Sequence, residues 1–231
     1  METSPAPPRY RLCILDFDGT LADTFPWFCG VINGVADRYG FRRVAGHETE
    51  SLRALGAREI IAHLGVPLWK LPAIARHMHD LAARDIADLH LFAGIAGMLA
   101  ALDEGGVRLA VVSSNTRANV RRVLGPANAR RIGDDACGAS VFGKARRLRA
   151  VIRRSGFEPG QVLCIGDEIR DADAAAEVGA DFGAVAWGYT RADALAARNP
   201  AFLFADPGDV VRALVPQPAT RRERARSRVL D

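Results

Sequence analysis

The sequence predicts an α/β protein: a parallel sheet with helices on both faces, interrupted after its first strand by a block of helices. Three observations carry this expectation. Short apolar runs alternate with stretches of helical periodicity. Polar, chemically able residues stand at the C-terminal ends of the strongest runs. From about Thr24 to Leu91 the chain shows helical patterns and no convincing strand.

Taken in order, residues 12–15 form a compact apolar run that ends at Asp16. In the helical block, Phe28, Val31, Ile32, Val35 and Tyr39 mark one helix. Leu52, Leu55, Ile60, Ile61 and Leu64 mark one or two more, and Ile74, Met78 and Leu81 a further one. Residues 94–104 place Ile95, Met98, Leu99 and Leu102 on one helical face. The second run, 107–112, ends at Ser113. A weaker candidate, 139–142, leads to Gly143-Lys144, and 145–155 repeats the helical pattern with Leu148, Val151 and Ile152. The third run, 162–165, is followed by Gly166-Asp167 and a helix over 172–178. Runs at 184–187 and 202–204 complete the set. Short runs bounded by glycine and polar residues read as buried strands. Strands that alternate with helices imply parallel pairing covered on both faces.

The chain has 231 residues, 49% hydrophobic and 25% charged, enough for one well-packed domain or a core carrying a smaller insertion. Net charge is +4, but the last eleven residues hold five arginines against two acids, so the body is nearly neutral. The basic tail reads as a solvated terminus, and no nucleic-acid partner is expected. The cysteines (Cys13, Cys29, Cys137, Cys164) show no metal-binding spacing, and Cys13 and Cys164 read as buried small hydrophobes. No apolar run reaches the length of a membrane span and the first residues lack a signal-peptide core. A cytoplasmic location without membrane association is expected, and no oligomeric state is implied.

In open parallel sheets, ligands bind at the C-terminal strand ends. Here those ends supply Asp16-Phe17-Asp18-Gly19-Thr20, Ser113-Ser114-Asn115, Gly143-Lys144 and Gly166-Asp167-Glu168-Ile169-Arg170-Asp171. Clustered acids repel, so they need a counter-charge; oxygen donors of this kind suit a hard cation such as magnesium. With Lys144 beside them, such a site suits a phosphate dianion, its charge screened from an attacking carboxylate. Asp16 and Asp18 stand two apart and point the same way on extended chain, so one can attack phosphorus while the other handles a proton. Only Lys70 and Lys144 are lysines among the 31 basic residues, which singles out Lys144. Glu168 is equally readable as a metal-facing or a solvent-facing acid. His77 and His79 point to different helix faces and make a poor metal pair. Trp187-Gly188-Tyr189-Thr190 reads as a core tryptophan and a turn that could lie near the site.

These residues resemble the haloacid dehalogenase-like phosphohydrolases. Asp-x-Asp-Gly-Thr is that family's signature, and Ser113, Lys144 and Gly166-Asp167 with Asp171 follow in the family's order. The resemblance spans residues 11–214. It implies a Rossmann-like core and a small α-helical cap. It implies Asp16 as the nucleophile that becomes aspartyl-phosphate, and Asp18 as general acid/base. Ser113 and Lys144 would hold phosphate oxygens, with the Ser114 N–H assisting. The hydroxyl could come from Ser113 or Ser114; Ser113 is preferred because it directly follows the apolar run. The implied magnesium site is Asp16, the Asp18 carbonyl and Asp167, with Asp171 behind it orienting Lys144 or metal-bound water. The implied division is a core of 9–22 and 92–216, a cap of 23–91, hinges near 21–24 and 92–94, and flexible termini, 1–8 and 217–231.

Within the family, DFDGTLADT at 16–24, the all-helical insert and AWG at 186–188 are most similar to the phosphoglycolate phosphatase-like branch. That branch implies a small phosphorylated metabolite as substrate and magnesium as cofactor. For a carboxylate substrate a cap arginine is expected to reach the cleft: Arg53 or Arg58, ahead of Arg42 and Arg43. Alternatives are a phosphomutase of the same fold, or a non-catalytic binding or regulatory protein that keeps the fold.

Overall fold

The computed structural model describes residues 9–138 and 143–215. The run at 139–142 and the two termini predicted to be flexible lie outside these residues. Among the described residues six strands form one parallel sheet: β1 (Leu12–Leu15), β2 (Arg108–Ser113), β3 (Ile132–Cys137), β4 (Val162–Gly166), β5 (Asp181–Val185) and β6 (Phe202–Phe204). Their spatial order is β3-β2-β1-β4-β5-β6. The order reverses at β1, which lies between β2 and β4, and that reversal opens a crevice at the C-terminal strand ends.

β1 and β4 are buried at every residue because both sheet faces are covered. On one face Cys13, Leu15, Leu109, Val111, Leu163 and Ile165 share a core with Ile95, Met98, Leu99 and Leu102 of α5 (Ile95–Glu104). That is the four-residue stripe its spacing predicts. On the other face Leu12, Ile14, Ala110, Val112, Val162 and Cys164 pack with Leu148, Val151 and Ile152 of α7 (Lys144–Ser155), and with alanines of α8 (Ile169–Val178). α6 (Arg117–Ala129), α9 (Ala192–Ala196) and α10 (Pro207–Leu214) complete the layers.

Between β1 and α5 lie α1 (Phe25–Tyr39), α2 (Thr49–Leu52), α3 (Ala57–His63) and α4 (Leu71–Arg84), the helical cap. These helices bury few residues: only Val35 and Ala36 in α1, Ala82 in α4 and none in α3. The two chain crossings that join cap and core run side by side. The Asp23 N–H donates to the His90 carbonyl (2.9 Å), and the Phe92 N–H to that of Leu21 (3.0 Å).

Some elements differ from the sequence reading. The strand beside β2 is Ile132–Cys137, a half-buried edge segment whose Gly133, Asp134 and Asp135 hide it from a hydrophobicity scan. β5 begins at Asp181, three residues before the run at 184–187. α6 is broken at Gly125 (φ 70°) before Pro126, which interrupts its periodicity.

Candidate active site

Asp16 follows β1 directly, its N–H held by the Ile165 carbonyl (2.9 Å), and its side chain is buried. Lys144 opens α7 and reaches back under the sheet edge. Its Nζ lies 2.8 Å from Asp16 Oδ1 and also donates to Asp171 Oδ1. Asp171, in the first turn of α8, accepts at Oδ2 from the backbone N–H groups of Asp167 (3.2 Å) and Glu168 (3.1 Å). Both its oxygens are therefore engaged. Asp167, at the end of β4, is fully buried; Thr20 Oγ1 donates to its Oδ1 (2.7 Å) and the Tyr189 N–H to its Oδ2 (2.8 Å).

The close packing around Asp167 depends on two glycines. Gly19 has φ +77°, and a Cβ there would fall 2.2 Å from Asp167 Oδ2. A Cβ on Gly188 would fall 2.2 Å from Asp167 Cβ. The Asp-Gly-Thr turn and the loop after β5 thus clamp one carboxylate from two sides. Trp187 ties the same two segments together, its Nε1 donating to the Thr20 carbonyl (3.0 Å).

Asp18 accepts at both oxygens from Asn115 Nδ2 (3.2 Å each). Ser113, buried at the end of β2, accepts at Oγ from the Asn115 N–H (3.0 Å), whereas Ser114 faces the cavity described below. Asn115 Oδ1 in turn accepts from Asn119 Nδ2 (3.1 Å). Asn115 and Tyr189 organise the site although the sequence reading assigned neither a role. For Asn115 the signal was its place directly after Ser113-Ser114; for Tyr189 it was only nearness to a strand end.

Electrostatically the site is short of positive charge. Burial pushes the Asp16 carboxyl up to about 7 against the pull of Lys144, with Asp171 pushing the same way as burial. Burial, then Glu168, Asp16 and Asp171, hold Asp167 well above the usual carboxylate range. Burial also raises Asp18, opposed by the hydrogen bond from Asn115. Ligand oxygens of Asp16, Asp167 and Asp171 lie within 4.8 Å of one another, and Asp16 Oδ2 is buried with no hydrogen-bond partner. An unpartnered carboxylate oxygen in an all-oxygen cluster fits a hard divalent cation. Asp16 offers an open oxygen for it, and Asp167, with one hydrogen bond on each oxygen, keeps a lone pair on each; Asp171 carries two loop amides on one oxygen and the Lys144 ammonium on the other.

Asp18, Ser114, Asn115, Glu168 and Arg170 form one end of a cavity of about 520 Å³ that runs from the sheet edge into the cap. Arg53 is on its wall, but its guanidinium donates to the carbonyls of Tyr189 (Nε, 2.8 Å) and Gly188 (Nη2, 2.9 Å) and pairs with Glu50. Arg58 is exposed, away from the cavity wall. Arg42 pairs with Glu48 and Arg43 with Asp37, also away from it. Glu168 pairs with Arg170. Of the histidines only His79 reaches the cavity. Among the described residues no helix is long and apolar enough to cross a membrane, and all four cysteines are unpaired.

Comparison with known proteins agrees with this geometry. The model of the haloacid dehalogenase-like hydrolases matches residues 13–185. The chain is 31% identical over 202 residues to a phosphoglycolate phosphatase of Synechococcus elongatus, covering 87% of this chain and 95% of that one. It is 30% identical over 187 residues to a tyrosine-protein kinase of Mycobacterium tuberculosis, covering 79% of this chain and 64% of that one. Its fold matches that of a haloacid dehalogenase-like family hydrolase from Streptococcus pneumoniae, with a TM-score of 0.73 at 16% identity over 88% of this chain and 98% of the other. The order of motifs, the strand order and these matches agree: the chain belongs to the haloacid dehalogenase-like hydrolases, in their phosphoglycolate phosphatase-like branch.

Proposed function

We propose that the protein is a magnesium-dependent phosphatase that hydrolyses a small phosphate monoester through an aspartyl-phosphate on Asp16. The observation that carries this reading is the buried, unpartnered Asp16 Oδ2 beside Lys144 and Asp167. One carboxylate oxygen of Asp16 attacks phosphorus and the ester P–O bond breaks. Asp18, held by Asn115 and raised by burial, gives its proton to the departing oxygen. Asp18 then takes a proton from the water that attacks the acyl phosphate, freeing phosphate and restoring Asp16.

Lys144 and Ser113, with the Ser114 N–H, hold phosphate oxygens, and Asp171 fixes Lys144. Magnesium, held by Asp16, the Asp18 carbonyl and Asp167, would neutralise phosphate charge and the excess negative charge of the acids. The cap, 23–91, closes over the core, 9–22 and 92–216, to exclude water, turning at 21–24 and 92–94. A soluble cytoplasmic enzyme acting on a phosphorylated metabolite suits the unpaired cysteines.

The test is phosphate release from p-nitrophenyl phosphate and a panel including phosphoglycolate, run with magnesium, with chelator, and with Asp16→Asn. Release that needs both magnesium and Asp16 supports the reading. Because one relative is named a kinase, and a mutase shares the fold, the same reactions are assayed for phosphorylated acceptors. Transfer to a sugar or a tyrosine without free phosphate would overturn hydrolysis.

A further inference from the structure

We propose that the substrate's leaving group is an apolar body seated in the cap, so that the enzyme acts on alkyl or aryl phosphate monoesters in preference to small carboxylate-bearing ones. This rests on the phosphatase reading and adds the substrate class. The juxtaposition that carries it is one continuous cavity, polar at the sheet edge and apolar in the cap.

At the sheet end the wall holds Asp18, Ser114 and Asn115. Beyond them it is formed by Phe25, Phe28 and Ile32 of α1, Ile61 of α3, and Ile74 and Met78 of α4. The α1 residues recur at helical spacing, as do those of α4, so each helix turns its apolar stripe inward. In a packed bundle those stripes would meet and disappear from solvent. Here all six side chains are only half-buried, and α3 buries nothing. Protein interiors leave few voids larger than a water molecule. A space of about 520 Å³ is instead within the range of about 300–1,000 Å³ that takes an organic ligand. A two-carbon acid beyond the phosphate would leave most of it unfilled.

The arginines of the wall argue the same way. The two arginines on the wall are engaged: Arg53 with Glu50 and two carbonyls of the loop after β5, Arg170 with Glu168. A carboxylate pushed among the phenylalanines and isoleucines would lose its hydration there. An alkyl or aryl group gains from the same wall, and binding energy from that remote part can be used at the reacting phosphate.

The experiment measures kcat/KM for methyl, butyl and octyl phosphate and for phosphoglycolate, together with calorimetric binding of methylphosphonate and octylphosphonate. The expected result is a rise of about fourfold per methylene until the cavity fills, with phosphoglycolate below butyl phosphate and octylphosphonate bound more tightly than methylphosphonate. Met78→Trp, which fills part of the cavity, should cut the octyl-to-methyl ratio at least about tenfold. A flat or falling series, or phosphoglycolate above octyl phosphate, would overturn the inference and leave the phosphatase reading intact. So would a folded Met78→Trp protein that keeps the full ratio; if that variant does not fold, the wild-type series and the phosphonates decide. No phosphate release from any ester, with octylphosphonate still the tighter ligand, would overturn the phosphatase reading and keep the cavity assignment.

Discussion

The residue on which most depends is Asp16, whose two oxygens have opposite situations: Oδ1 meets Lys144 and Oδ2 meets no partner. Asp16→Asn keeps the shape and removes the nucleophile, so phosphate release should fall at least about a thousandfold with little change in the circular dichroism spectrum. The same variant tests the charge argument. In metal-free protein burial pushes the Asp16 carboxyl up to about 7, against an ordinary aspartate value of about 3.9 in the unfolded chain. Between those values the folded state holds more protons than the unfolded one, so stability falls as pH rises through the window. From pH 5.5 to 7.5 the loss attributable to this group is about 2 kcal/mol. Urea unfolding in chelator should show the loss in the wild type and a flatter profile in Asp16→Asn. Lys144→Ala leaves two buried carboxylates without their cation and should cost about 3 kcal/mol at pH 8 in the same assay. Wild-type stability in Lys144→Ala would mean that the cluster is not held by that ammonium.

At the scale of elements, the loop after β5 and the turn after β1 act as one device around Asp167. Gly188→Ala places a methyl where Asp167 Cβ already lies, so Asp167 must move away from Thr20 and the Tyr189 N–H. Magnesium affinity should drop about 10- to 100-fold by calorimetry, the range for disturbed support of a metal ligand. An unchanged affinity would place the ion elsewhere. The clamp also shows where sequence reading stops. Strands buried on both faces, such as β1 and β4, announce themselves as unbroken apolar runs, and the acids at their ends were legible for that reason. β3 was not, because an edge strand pairs through its backbone and tolerates Gly133-Asp134-Asp135. Asn115 acts through its amide and Tyr189 largely through its backbone N–H, and one sequence carries no periodicity that marks such contacts.

At the scale of the whole molecule, the question is what holds the cap to the core. Beyond the paired crossings, the Arg53 side chain is one polar tie, its guanidinium bridging to the Gly188 and Tyr189 carbonyls while lying 5.0 Å over the Phe25 ring; Asn119 Nδ2 to the His79 carbonyl (3.2 Å) is another. Tyr189 extends the tie: its ring meets Phe25 (5.0 Å) and Phe28 (5.7 Å), and its hydroxyl shares a hydrogen bond with Thr24 (2.9 Å). Because the Tyr189 N–H also holds Asp167, cap position and the geometry at Asp167 are mechanically linked. A latch and a substrate-recognising arginine make different predictions for Arg53→Ala. A latch loses two charge-assisted bonds, about 1–3 kcal/mol of closure after solvent compensation. Amide exchange in α2 and α3 should then quicken about 10- to 100-fold, and KM should rise by a similar factor for every substrate, acidic or apolar. A recognition residue would instead lose acidic substrates selectively and leave exchange in the cap unchanged. The carbonyl partners favour the latch, because a guanidinium already satisfied by main chain is exchanged for a substrate carboxylate only if the cap lets go of the core.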